Sequence, residues 1–232
     1  MEIECYLAMT AAEMEQTEPF PPKIAWMSCH FSPYGRDLSN LPDKLPDGSL
    51  LILNDRTPWW NHDLERILAQ LEERLECLSC TGLLLDFQRP DIHEVAELAQ
   101  ILTAQLHCPV GVSEPYAKGL SCPVFLPPMP LGKTPEDYLR PWQGRELWLD
   151  IAPQCCEIRL SAQGSTALPL PFSPPPEFCH RDEQLHCRYT VEVCSDCAKF
   201  TLYRTREDLN SLLEEAQGYG VTTAVGLWQE LS

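Results

Sequence analysis

Short apolar runs alternate along the chain with stretches of helical periodicity, the pattern of a parallel sheet wrapped by helices. Eight runs read as strands: Ile3–Ala8, Lys23–Cys29, Ser49–Asn54, Gly82–Gln88, Pro109–Ser113, Pro123–Leu126, Glu146–Ala152 and Thr222–Trp228. Eight is the number that closes a (β/α)8 barrel, so the expected fold is an irregular α/β barrel of the TIM type. An open α/β sheet of fewer strands is the alternative.

The helical segments are uneven. Leu64, Ile67, Leu68, Leu71 and Leu75 recur at three- and four-residue spacing with charges between them. Asp91 and Glu94 form a capping-box-like start to a helix striped by Val95, Leu98, Leu102 and Leu106. Thr134-Pro135-Glu136-Asp137 opens a short helix. A last helix begins near Thr205, with Asp208 at its third position and Leu209, Leu212, Leu213 and Ala216 facing inward. Residues 31–48 and 116–122 carry no helical pattern. Residues 155–204 break the alternation, with a Pro-rich link and two β-like runs, His186–Val193 and Lys199–Arg204, joined at Ser195-Asp196. The expected organisation is one domain over 1–232, with a small antiparallel β insertion at about 155–204, before the last helix and strand.

Charge and cysteine content narrow the partners. Acidic residues outnumber basic ones 34 to 17, a formal net charge of −17 that argues against nucleic acid. No run approaches the ~20 apolar residues of a membrane span, and the first residues lack the basic-then-apolar order of a secretory signal. A cytoplasmic location is expected. Twelve cysteines include two Cys-x-x-Cys pairs, Cys77/Cys80 and Cys194/Cys197. The pairs lie too far apart in sequence to be read as one zinc site, so no metal is assigned and reduced or buried thiols are the leading reading, ahead of disulfides. No cofactor motif of the P-loop, GxGxxG or GxSxG kind occurs, and no cofactor is expected.

The segment Leu78–Gln88, LSCTGLLLDFQ, resembles the fourth strand of family 18 glycoside hydrolases, chitinases and spore-cortex glycosidases, which reads GxDxDxE. Gly82 matches the glycine, Leu84 the middle Asp, Asp86 the last Asp and Gln88 the catalytic Glu. Strand alternation places Leu84, Asp86 and Gln88 on one face. The order of the other segments agrees: SLLILNDRTPWW is similar to the third strand and its loop, PVGVSEPYA to the fifth and ELWLDIAP to the seventh. HCRYTVEVC and TREDLNSLLEEAQGYGVTTAVGLWQEL resemble the late hairpin, last helix and last strand, with Trp228 at the family's inward-facing Trp. The resemblance spans roughly residues 23–232.

In the family, a Glu protonates the glycosidic oxygen while the substrate's own acetamido carbonyl attacks. The neighbouring Asp stabilises the developing cation, and a sixth-strand Tyr holds the acetamido group. Here Gln88 has no proton to give. Leu84 lacks a carboxylate, and Met129-Pro130 stand where the family's Tyr-Asp would fall. The resemblance therefore implies a catalytically inactive or impaired barrel that binds a carbohydrate, with Asp86, Gln88, Trp228 and Trp59 as ligand-binding candidates. An active hydrolase with a relocated carboxylate is the first alternative. Asp55, Asp86 and Glu114 are its candidates, because barrel sites gather at the C-terminal ends of strands; Asp150 lies within the seventh strand. An interaction scaffold is the second alternative. His30 beside Cys29 invites a nucleophile, but adjacent strand residues point to opposite faces. Oligomeric state is not legible in the sequence.

Overall fold

The computed structural model describes residues 2–17, 19–33, 37–57, 63–89 and 92–232. The eight expected strands form: β1 (Glu4–Met9), β2 (Ile24–Phe31), β3 (Leu50–Asn54), β4 (Gly82–Asp86), β5 (Val110–Ser113), β6 (Val124–Leu126), β7 (Leu147–Asp150) and β8 (Val221–Leu227). Each pairs in parallel with the next, and β1 pairs with both β8 and β2, which closes the barrel and disposes of the open-sheet alternative. No described helix is long and apolar enough to cross a membrane.

Two apolar layers result from strand alternation. Outward residues such as Leu51, Leu53, Leu83, Leu85, Val110 and Val112 meet the helices. Helix α2 (Leu64–Cys77) supplies Ile67, Leu71 and Leu75, and α3 (His93–Gln105) supplies Val95, Leu98, Ala99 and Leu102. The expected cap at Asp91 falls outside the described residues; the helix is preceded by Ile92, whose side chain makes no cap bond. The short α4 (Pro135–Leu139) starts at Thr134, whose hydroxyl accepts from the Asp137 amide. A capping box between Thr205 and Asp208 starts α5 (Arg206–Ala216). Two short helices were not legible as elements in the sequence, α1 (Ala11–Gln16) and α6 (Trp228–Leu231).

Inside the barrel, Tyr6, Ala8, Ala25, Leu50, Ile52, Leu84, Phe125, Trp148 and Val225 fill the lower and middle levels. Gly111 faces this interior beside Leu84, and a Cβ there would sit 2.3 Å from the Trp148 ring. The indole is 3 % exposed and cannot swing clear into solvent. Gly111→Ala is therefore expected to cost about 2 kcal/mol by overpacking. Urea unfolding measures it, and a cost below about 0.5 kcal/mol would show that the Trp148 ring has room to shift.

The insertion is larger than the two runs the sequence displays. A five-stranded antiparallel sheet runs in the order Gly164–Leu170, Gln154–Ser161, Cys197–Arg204, Cys187–Val193, His180–Asp182. Pro169 lies in the outermost of these, where a missing N–H costs no ladder bond. Arg204, 1 % exposed, ties the sheet to the barrel. Its guanidinium donates to the carbonyls of His186 (3.2 Å) and Leu185 (3.1 Å), to Gln154 Oε1 (2.8 Å) and to the Met129 carbonyl after β6.

Candidate functional site

Polar residues take over the inward positions at the C-terminal end of the barrel. On β3 the inward order Leu50, Ile52 ends at Asn54; on β4 Leu84 is followed by Asp86; on β7 Trp148 is followed by Asp150. A cavity of about 460 Å³ opens there, within the size range of small-molecule sites. Leu84, Ile52, Phe125, Val225, Ala8 and Met27 form its apolar floor. Its polar wall carries Asn54, Asp55, Arg56, Asp86, Gln88 and Asp150, with His30 beside Asn54 and Asn40 next to His30.

The sequence candidates separate on this geometry. Asp86 and Gln88 both line the cavity, and the Gln88 amide donates to Asp86 Oδ1. Asp55 also lines it, but its Oδ2 accepts from the backbone amides of Gln88 (3.0 Å) and Arg89 (2.8 Å). It holds the loop after β4 in place. Glu114 begins a short 3-10 helix after β5, its side chain is exposed, and it is not among the cavity-lining residues. Trp228, expected to face inward, is not among them either. The extended chain ends at Leu227 and turns helical at Trp228, so alternation stops one residue earlier, and Val225 takes the inner face while Ala224 packs outside. Trp59 lies outside the described residues.

His30 and Cys29 diverge as alternation requires. Cys29 is buried in the outer layer, where burial pushes its thiol up to about 12, while His30 reaches the cavity. The His30 Nδ1–H donates to the Phe31 carbonyl (2.8 Å), leaving Nε2 to face the Asn40 side-chain amide (3.2 Å).

The carboxylates share one electrostatic problem. Burial raises the Asp86 carboxyl, with the Asp55 charge adding to it; hydrogen bonds from Gln88 and Ser113 oppose the rise. Asp150 is pushed up to about 7, first by burial, then by Asp86 and Glu230, against a backbone hydrogen bond at Ile151. Asp150 is the site residue whose environment the sequence did not reveal. The alternation of β7 was its only signal, since spacing tells which face a side chain takes and not how deeply it is buried. Among the described residues no group of three or more His, Cys, Asp or Glu side chains is arranged to hold a metal ion.

No protein-family model matches the sequence, and no curated protein matches it. Solved structures do. The spore cortex-lytic enzyme SleL of Bacillus cereus superposes with a TM-score of 0.54 at 10 % identity, over 98 % of this chain and 71 % of that one. The barrel is similar in fold to those of family 18 glycoside hydrolases. A class V chitinase of Nicotiana tobaccum, a Glu-to-Gln mutant in complex with NAG4, aligns over 98 % of this chain and 94 % of its own, with a TM-score of 0.55 at 8 % identity. The chitinase-like agglutinin of Robinia pseudoacacia gives 0.55 at 10 % identity, over 95 % and 93 %. At such identities the family 18 likeness is one of fold, and the site must be judged on its own residues.

Proposed function

We propose that the protein is a cytoplasmic, family 18-like barrel that binds carbohydrate at its C-terminal mouth and does not perform the family's reaction. One observation carries the reading: Gln88 stands at the end of β4 with its amide spent on Asp86. The family's chemistry needs a proton donor at this point, and a neutral amide is none. Binding needs only shape and hydrogen-bonding groups. The apolar floor with Phe125 suits the C–H face of a sugar ring, and Asp86, Asn54 and Arg56 can meet hydroxyls. Two relatives in fold support it by analogy, a Glu-to-Gln chitinase in complex with NAG4 and a chitinase-like agglutinin.

Titration calorimetry with chitin- and cellulose-type tetrasaccharides tests the reading. Binding by at least one is expected, weakened about tenfold or more in Asp86→Ala through loss of a charge-assisted hydrogen bond. Trp228→Ala is expected to leave it unchanged. Affinity that survives Asp86→Ala but is lost in Trp228→Ala would move the site off the cavity. No binding to any oligosaccharide would leave the scaffold reading in its place.

A second reading, hydrolysis by a relocated carboxylate, is favoured by one observation. Asp150, with its carboxyl pushed up to about 7, gives the cavity a proton donor at neutral pH that feels the Asp86 charge. Its signature is turnover of a reporter glycoside lacking an acetamido group, abolished in Asp150→Asn and retained in Gln88→Ala.

A further inference from the structure

The two Cys-x-x-Cys pairs share a spacing but not a geometry. Cys77 is the last residue of α2, and Cys80 follows Ser79, whose φ of 50° turns the chain away from the helix. The Cys80 thiol, raised to about 11 by burial, feels the sulfur of Cys108 next. Cys194 and Cys197 instead flank the tip of the hairpin between the strands Cys187–Val193 and Cys197–Arg204. The Cys194 amide donates to the Cys197 carbonyl (2.8 Å), and the next rung pairs Val193 with Ala198. Residues that close such a hairpin stand directly opposite each other with Cα atoms about 5.5 Å apart, inside the range a disulfide spans. The Cys194 side chain is close enough to raise the Cys197 thiol, its own Sγ donates to Glu192 Oε1 (3.9 Å), and both cysteines are partly exposed.

We propose that Cys194 and Cys197 form a redox modification site, a dithiol that closes reversibly to a disulfide by exchange with a low-molecular-weight disulfide such as glutathione disulfide. In the first step one cysteine loses its proton and its thiolate attacks a glutathione sulfur. The S–S bond of glutathione disulfide breaks and a mixed disulfide forms. The second cysteine then loses its proton and attacks the mixed disulfide at the protein sulfur, forming the Cys194–Cys197 bond and releasing the second glutathione. The two protein thiols give up two electrons, glutathione disulfide gains them, and the two protons leave on two glutathione thiols. Desolvation raises the Cys197 thiol, Cys194 and Asp196 add to that, and Arg159 opposes it. The exchange therefore quickens as pH rises, because the thiolate is the attacking form.

The closed ring takes in only Ser195 and Asp196, so it can form without moving a strand. None of the four residues lines the cavity, which makes this site independent of sugar binding.

The test uses the whole chain with glutathione disulfide at pH 8, quenched by alkylation and mapped by peptide mass. The expected product is a 194–197 peptide two hydrogens lighter than its unalkylated dithiol form and reopened by dithiothreitol. It should form about tenfold or more faster than any bridge at Cys77–Cys80, which serves as the control of equal spacing. Cys194→Ser, with its fold checked by circular dichroism, should stop at a glutathione adduct on Cys197. Separate lasting adducts on both cysteines of the unsubstituted chain, or bridging no faster than at Cys77–Cys80, overturns the proposal.

Discussion

Incubated with chitin oligosaccharides or N-acetylglucosaminyl reporters, the protein is expected to release product no faster than its own Gln88→Ala variant. Loss of a positioned general acid alone costs about 10²–10⁴-fold, and two further departures add to it. Leu84 leaves Asp86 without a second carboxylate on its face, and among the described residues no Tyr lines the cavity to hold an acetamido group; Tyr138, after β6, donates its hydroxyl to the Pro127 carbonyl. For the same reason Gln88→Glu is expected to stay within about tenfold of the background. A new carboxyl beside Asp86 and Asp55 meets like charges but no partner at position 84, and no tyrosine lines the cavity to align the substrate's acetamido oxygen. Reducing-end assays on the three proteins measure both effects. Robust hydrolysis by Gln88→Glu would mean that Gln88 is the only defect in the site.

Replacing Asp150 with Asn is expected to stabilise the protein by about 2–4 kcal/mol at pH 8, because burial and the charges of Asp86 and Glu230 oppose the ionised carboxyl in the folded protein. The folded carboxyl titrates near 7 and its ordinary value is 3.8. Between these values the folded state holds the proton more tightly than the unfolded chain. Asp150 thus costs stability progressively as pH rises from about 4 to about 7, and the full cost remains above that. Asn keeps the shape without the charge, so its advantage should shrink as pH falls toward 4. Urea unfolding of both proteins at several pH values isolates the effect, since every other titrating group is common to them. Parallel stability curves would mean that Asp150 is well solvated in the folded protein.

The barrel was legible because its strands are buried on both faces and read as unbroken apolar runs. Half of the insertion was not, because Gln154–Ser161 and Gly164–Leu170 carry polar or exposed residues at most positions and one includes a proline. Helix α1 buries none of its residues, and its only trace in the sequence is the capping box from Thr10 to Glu13. Asp86 ends β4 on its inward face and Gln88 continues that parity, whereas Asp55 is fixed by the backbone amides of the loop after β4, which no spacing reveals. Glu114 and Trp228 do not line the cavity: Glu114 sits past β5 where the chain turns into a 3-10 helix, and on β8 Val225 rather than Ala224 takes the inner face, the opposite parity to the one that would aim Trp228 inward.

Met129 ties the loop after β6 to the inserted sheet. Its side chain is 2 % exposed in the layer outside the barrel, and its carbonyl accepts from the buried Arg204. The loop after β6 thus serves as an anchor point for the inserted sheet. A tyrosine substituted there would inherit the outward direction, and turning it inward would strand a guanidinium without one of its acceptors. Reshaping this side of the mouth therefore requires the loop after β6 and the Arg204 anchorage to change together, a coupling that no single substitution in the loop can release.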